Sequence, residues 1–245
     1  MIYIKNNEEI EKMRKAGKIV SELFSYLQEK ITAGMQTKEI DKLTYDFILS
    51  RGARPACLGY GGFPASICIS TEDEVVHGFP SERLVKEDEI ISLDVVVEKD
   101  GYHADAARSL YVGRISPERK RLIDVTTECF YKGYGAVMEG AAIGDIGAAV
   151  QEHAEKNGYS VVREMVGHGI GRHMHEDPSV PNYGKRGVGP RLKKGMAIAI
   201  EPMINMGKKE VIIDGWKCVT KDGLPSCHYE NTVVLTDNGA EIITL

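Results

Sequence analysis

The sequence predicts an α+β fold of two similar halves built around a shared sheet, and three observations carry that reading. Each half opens with helical periodicity, each continues into apolar strand-like runs, and the two halves repeat one another at a fixed offset. The repeat shows in Ala33-Gly34-x5-Ile40-x11-Gly52 and Glu139-Gly140-x5-Ile146-x11-Gly158, where Gly, Ile and Gly recur 106 positions on. Asp94 and Glu201, each inside an apolar run, differ by 107. No Pro- or Ser-rich linker separates the halves. The chain therefore reads as one domain over 1–245, with halves of about 1–115 and 116–245 and a functional site at their junction.

The elements follow in order. Glu8 to about Glu29 carries Ile10, Met13, Ile19, Val20, Leu23, Phe24 and Leu27 at helical spacing. A second helix is expected from Thr37, as N-cap, to Ser50, with Gly52 just past its end. Ala56 to Ser70 is rich in Gly and aromatics before it turns apolar, so it reads as loop and then strand. Val85–Val97, Asp100-Gly101 and Tyr102–Val112 read as a β-hairpin. Pro117–Met138 and Gly144–Asn157 are the helices of the second half.

The bulk properties exclude several functions. Hydrophobic residues make up 42% and charged residues 27%, ordinary values for a globular protein. A net charge of -5 argues against nucleic-acid binding, and Lys193-Lys194 and Lys208-Lys209 are isolated pairs rather than a phosphate track. Met1–Gly17 has no apolar core of a secretory signal, and no run approaches a membrane span. The five cysteines are scattered without a C-x-x-C pair, so they read as reduced thiols of a cytoplasmic protein rather than a structural zinc site.

The informative residues are carboxylates where apolar side chains are expected. Ile90-Ile91-Ser92-Leu93-Asp94-Val95-Val96-Val97 has the continuous apolar character of a strand buried on both faces, and a lone Asp within it is costly unless paired or bound to a cation. With Asp100-Gly101 as central turn residues, Val96 lies opposite Asp105. Asp94 and Asp105 then share a face as diagonal neighbours. Glu201 lies in the run Met196–Ile204, where Pro202 opens the strand, and Glu230 begins the run Asn231–Leu235. Any one of these has an ordinary explanation in an arginine or backbone N–H partner. For all four, Arg108 and Arg172 are too few, and two divalent cations balance the charge. An oxygen-rich set with one imidazole suits Mn, Fe or Co, and admits Zn.

Val166–His175 concentrates three of the seven histidines. Glycines flanking His168 point to a backbone that must approach a neighbour closely. Their spacing is not that of a phosphate-binding loop. His168 beside Glu201 reads as a ligand, and His77 is a further candidate. His103, His153 and His228 have ordinary readings as hairpin rim, exposed helix face and strand edge, and His173 is expected to point away from His175. G-x-S-x-G and H-E-x-x-H are both absent.

Taken in order, His77, Asp94, Asp105, His168, His175, Glu201 and Glu230 resemble the site of the methionine aminopeptidases of the pita-bread fold. The segments that carry the resemblance are Cys57-Leu58-Gly59-Tyr60, Glu74-Val75-Val76-His77-Gly78, Gly167–Arg172, Glu201-Pro202-Met203 and Tyr229-Glu230-Asn231-Thr232, together with Asp94 and Asp105 eleven residues on. They span nearly the whole chain. About 26 residues separate His175 from Glu201, too few for the helical insert of the type 2 enzymes, so the chain resembles the short bacterial type 1 form. Prolidases and aminopeptidases P share the ligands but carry an extra N-terminal domain. Met174 stands where an aromatic is usual, Phe63 where Tyr is frequent, and Asn231 where His often follows the last Glu.

The resemblance implies removal of the N-terminal methionine from nascent polypeptides, with a small second residue preferred, by a cytoplasmic monomer working near the ribosome exit. It implies two divalent metals bridged by Asp105 and Glu230, with Asp94 completing one shell and His168 with Glu201 the other. Glu201 becomes a proton shuttle, His175 a donor to the oxyanion, and His77 a contact to the scissile peptide nitrogen. Cys57, Tyr60, Phe63, Cys68, Met174 and Trp216 become the methionine pocket. Two other functions compete: an Xaa-Pro peptidase with the same ligands, and a metal-free binding protein on the same fold.

Overall fold

The computed structural model describes residues 1–245. Helix α1 runs Asn7–Lys30. Its start is set by Asn6 and Glu9: the Glu9 N–H donates to Asn6 Oδ1 at 3.0 Å, and the Asn6 N–H donates to the Glu9 carboxylate at 2.9 Å. This reciprocal pair satisfies two donors that the first turn otherwise leaves open. The buried stripe of Ile10, Met13, Val20, Leu23 and Leu27 faces the sheet, and burying each such side chain contributes about 1.5–3 kcal/mol. At Gly17 the C-terminal segment comes so close that a Cβ would overlap the Ile243 carbonyl.

Helix α2, Thr37–Ser50, is capped one residue earlier than expected. Gln36 is the cap residue, and its N–H donates to Glu39 at 2.7 Å. Thr37 instead exchanges two hydrogen bonds with the Ser81 backbone, at 3.1 and 2.8 Å, which ties the helix to the loop before the hairpin. Helix α3, Pro117–Tyr134, stops short of Met138 in a turn through Gly135, and α4 occupies Ile143–Lys156. The glycines of the 106-residue offset have matched geometry. Gly34 and Gly140 precede α2 and α4 at φ +88° and +84°, and Gly52 and Gly158 follow them at +61° and +83°. That left-handed region strains any residue with a Cβ, so glycine recurs at these four positions.

The helices pack against one nine-stranded antiparallel sheet. Its order is Arg54–Pro55, Ile91–Lys99, Tyr102–Leu110, Glu230–Thr236, Ala197–Ile200, Gly167–Gly169 and Glu176–Val180, with Cys68–Thr71 also on the second strand and Gly239–Ile242 on the fourth. Two strands are shorter than the sequence suggests. Val85–Ile90 is not strand, because the Glu89 carboxylate accepts from the Lys86 N–H at 2.7 Å and pairs with Arg83 at 2.8 Å, folding this stretch into a turn. The second hairpin strand ends at Leu110 rather than Val112.

Alternation along the hairpin sorts its residues. Ile91, Leu93, Val95 and Val97, with Tyr102, Ala104 and Ala106, join the largest hydrophobic core, which α1 and α2 cover. Ser92, Asp94 and Val96, with His103, Asp105 and Ala107, therefore occupy the opposite face. That face carries the site.

Candidate active site

The hairpin turn is the two-residue loop Asp100-Gly101, both residues at positive φ (+54° and +79°), the geometry of a tight hairpin. The register pairs Val96 with Asp105 and Asp94 with Ala107, so the two carboxylates are diagonal neighbours on one face. Glu230 pairs with Ala107 on the next strand, and Asn231 pairs in turn with Ile200, the residue before Glu201. The four carboxylates thus converge from three neighbouring strands and, for Glu201, the end of a fourth. The Thr232 hydroxyl fastens the Asp105 backbone from the neighbouring strand, accepting from its N–H and donating to its carbonyl, both at 2.9 Å. Asn182 donates to the Glu201 carbonyl at 2.9 Å, just where Pro202 breaks the strand.

His168 enters through Gly167–Gly169, and its flanking glycines are required by contact. A Cβ on Gly167 would overlap the Ala199 carbonyl, and one on Gly169 the Asp177 carbonyl. The ring Nδ1 donates to the Gly169 carbonyl at 2.9 Å, which leaves the Nε2 lone pair facing Asp105 Oδ2 at 3.7 Å and Glu201 Oε1 at 3.6 Å. His175 stacks edge-on against His168, with ring centroids 4.3 Å apart, and its Nδ1 meets the Tyr60 hydroxyl at 2.8 Å. His77 has a left-handed backbone (φ +61°), strain of a kind that collects at functional sites, and its ring stands edge-on to Trp216.

No cation of the protein neutralises the cluster. Arg108 donates to the Glu230 carbonyl and to Asn231 Oδ1 at 2.7 Å, not to a site carboxylate, and Arg172 pairs with Glu9 at the surface. Burial raises all four acids: Asp94 to about 7, and Asp105, Glu201 and Glu230 well above the carboxylate range, where the neighbouring negative charges push further. Burial lowers His168 to about 3. Asp105 Oδ1 and Glu230 Oε1 are buried without any hydrogen-bond partner. Acids that resist ionising, a neutral imidazole and orphaned oxygens are the donor set that a divalent cation completes. Asp105, His168 and Glu230 offer ligand atoms within 4.8 Å of one another, and so do Asp94, His228 and Glu230. Glu230 belongs to both groups.

His228 is the residue at the carboxylate cluster that sequence reasoning missed. Expected at a strand edge, it is buried, with Nε2 turned toward Glu201 and Glu230. The signal that could have found it is its place two residues before Glu230, on the same side of an extended chain. His103 is also buried rather than at a rim, its Nδ1 against the Gly171 carbonyl at 3.1 Å. His153 pairs with Glu128 on its helix face, and His173 is exposed.

Beside the carboxylates opens a cavity of about 380 Å³, its mouth included, lined by Cys57, Tyr60, Phe63, Cys68, Met174 and Trp216 together with Val96, His77, Asp94, Asp105 and His175. Phe63 meets Trp216 edge-on at 5.6 Å, and Met174 is buried in the same apolar cluster. Val96 was not anticipated as a lining residue, although it lies on the Asp94 face.

Comparison with known proteins places this site in a family. The sequence profile of metallopeptidase family M24 matches residues 11–237. The chain belongs to metallopeptidase family M24. A methionine aminopeptidase of Clostridium perfringens is 50% identical over 247 residues, covering all of this chain and 99% of that one. The crystal structure of a methionine aminopeptidase from Rickettsia prowazekii superposes with a TM-score of 0.98 at 43% identity, over the full length of both chains. One from Thermotoga maritima gives 0.97 at 41%, covering all of this chain and 99% of that one. A prolidase from Pyrococcus furiosus shares the fold alone, with a TM-score of 0.80 at 23% identity over 65% of its chain. The architecture is the pita-bread fold, as the sequence led us to expect.

Proposed function

We propose that this protein is an aminopeptidase that removes methionine from the N-termini of peptides and nascent proteins. One observation carries the reading: a cavity with sulfur and aromatic walls opens directly onto a carboxylate cluster whose buried oxygens have no protein partner. Thioether against aromatic and thiol surfaces is a favourable match for a methionine side chain. Full-length likeness to methionine aminopeptidases supports it, whereas prolidases match over only part of their length.

Asp94, Asp105, His168, Glu201 and Glu230 would hold two divalent ions, with Mn, Fe or Co suited to the oxygen-rich set and Zn admitted. When bound, such ions would supply Lewis acidity toward the scissile carbonyl and lower the pKa of a water so that a base can turn it into a nucleophile near neutral pH. Glu201 accepts the proton of the attacking water and delivers it to the leaving nitrogen. The Tyr60 hydroxyl donates to His175 Nδ1, which puts the ring proton on Nε2, where it donates to the developing oxyanion. His77, held edge-on to Trp216, contacts the scissile peptide nitrogen.

The chain acts as a single catalytic unit with halves of about 1–115 and 116–245, a division supported by the matched glycine geometry around α2 and α4. Its proposed setting, a cytoplasmic monomer meeting nascent chains at the ribosome, rests on the full-length likeness to methionine aminopeptidases. A metal-free binding protein would have no use for four clustered carboxylates without counter-ions, Asp105 and Glu230 among them buried. The experiment is hydrolysis of Met-Ala-Ser and of Xaa-Pro peptides by metal-loaded protein. Cleavage confined to the Xaa-Pro peptides would overturn the methionine assignment.

A further inference from the structure

We propose that His228 is a sixth protein ligand of the dinuclear centre, so that each metal position has one imidazole. The inference rests on the metal-centre reading above and adds a residue that the resemblance does not supply.

His228 is only 2% exposed, and its Nε2 has no hydrogen-bond partner. That nitrogen faces Glu201 Oε2 at 3.7 Å and Glu230 Oε2 at 3.8 Å. Both gaps are too long for hydrogen bonds. They match those of His168, whose Nε2 lies 3.7 Å from Asp105 and 3.6 Å from Glu201. Donors bound to one ion at roughly 2.0–2.2 Å can lie up to about 4 Å apart, so His228 and the shared Glu230 have the separation of ligands to one ion, as His168 and Asp105 do. The two metal-sized groups repeat the relationship, Asp105 and Glu230 with His168, Asp94 and Glu230 with His228.

The backbone holds His228 in place. Its N–H donates to Ser109 Oγ at 2.9 Å, and the same hydroxyl donates to the His228 carbonyl at 3.0 Å. Ser109 lies on the Asp105 strand, and its hydroxyl is 2.7 Å from that of Ser92 on the Asp94 strand. His228 is thereby fastened to the hairpin that supplies both aspartates. On its other side it pairs with Met203, just beyond the strand break at Pro202. A second imidazole moves the Asp94 position from all-oxygen coordination toward the borderline ions Fe, Co and Zn, and away from Mn.

The test uses the full chain labelled with 15N-histidine, freed of metal and titrated with Zn²⁺ to two equivalents. Imidazole nitrogens are followed by NMR and assigned with His228→Gln and His168→Gln. Two imidazoles, those of His168 and His228, should move on loading. By calorimetry, His228→Gln should bind its second Zn²⁺ roughly tenfold or more weakly than the wild type. The ligand assignment is overturned if His168 alone moves at two equivalents, or if His228→Gln binds both ions like the wild type. A loss of turnover with unchanged affinity overturns it equally, because that makes His228 a positioning residue. If neither imidazole moves, the metal-centre reading itself fails. Should His228→Gln not fold, the labelled wild type still decides.

Discussion

Asp94 and Asp105 stand diagonally on one face of a hairpin, Asp94 opposite Ala107 and Asp105 opposite Val96. The two-residue turn at Asp100-Gly101 fixes that parity, and a slip of one residue would turn either carboxylate into the core. In the metal-free protein the pair is a burden, since burial and the Asp94 charge both raise Asp105. Asp105→Asn should therefore have effects of opposite sign. The metal-free variant should melt at a higher temperature than the metal-free wild type, while its metal affinity drops at least about tenfold. Calorimetric titration with Mn²⁺ and thermal melts in chelator check both halves. A variant that binds Mn²⁺ normally would remove Asp105 from the ligand set.

Glu201 combines two roles, ligand and proton shuttle. Glu201→Gln keeps the shape and one coordinating oxygen but cannot accept a proton. Its kcat on Met-Ala-Ser should fall by about 10²–10⁴, the usual range for losing a general base, with the circular dichroism spectrum unchanged. Full activity in this variant would end the shuttle assignment.

Much of this arrangement was legible in the sequence, for identifiable reasons. Asp94, Glu201 and Glu230 stood out because a charge inside an apolar strand needs a compensating partner. Asp105 followed from turn parity. His168 was marked by glycines that prove to be forced by close carbonyl contacts. His228 escaped because its environment is set by long-range pairing: Ser226–His228 joins Met203–Asn205 in a separate three-stranded sheet, which no local pattern announces. The α2 cap was misplaced for a related reason, as Thr37 spends its hydroxyl on distant Ser81. The strand expected from Val85 was lost to the Glu89 turn, whose side-chain bonds compete with ladder formation.

Met174 tests the pocket. It is buried against Phe63, Cys68 and Val96, where its flexible thioether fills space that a flat aromatic ring would fill differently. Met174→Ala should lower kcat/KM on Met-Ala-Ser by roughly 10–200-fold, the scale of lost contacts in an apolar specificity pocket. The loss should be smaller on a substrate with a shorter first side chain. Equal losses on both would place Met174 outside the methionine contact.

Arg108 is a half-buried cation devoted to backbone and amide acceptors around Glu230, and it also stacks on Phe24 and Tyr229. Arg108→Met would preserve much of the packing and leave the Glu230 carbonyl and Asn231 Oδ1 without this donor. Asn231 Oδ1 keeps the Thr244 hydroxyl at 2.9 Å, so the cost is that of one abandoned acceptor, about 1–3 kcal/mol. Urea unfolding should show a loss of that order, together with weaker metal binding as Glu230 loosens. A variant as stable as the wild type would show that these acceptors find other partners.

Glu9 supplies the pH dependence. The Tyr102 hydroxyl donates to it at 2.6 Å, and with the Asn6 N–H and Arg172 it lowers the carboxyl to about 2. The unfolded chain keeps a Glu near the ordinary value of about 4.3. Between those values the unfolded state binds more protons, so stability rises with pH. The contribution is complete above the unfolded value and is lost as pH falls toward 2. Because Glu9 is half-buried at the surface and its ion-pair partner Arg172 is exposed, its size is that of a screened surface interaction, below about 1 kcal/mol. Glu9→Gln should lower the melting temperature of metal-free protein at pH 7 and match the wild type near pH 2, wherever both still fold. A constant difference across that range would assign the effect to helix capping geometry instead of charge.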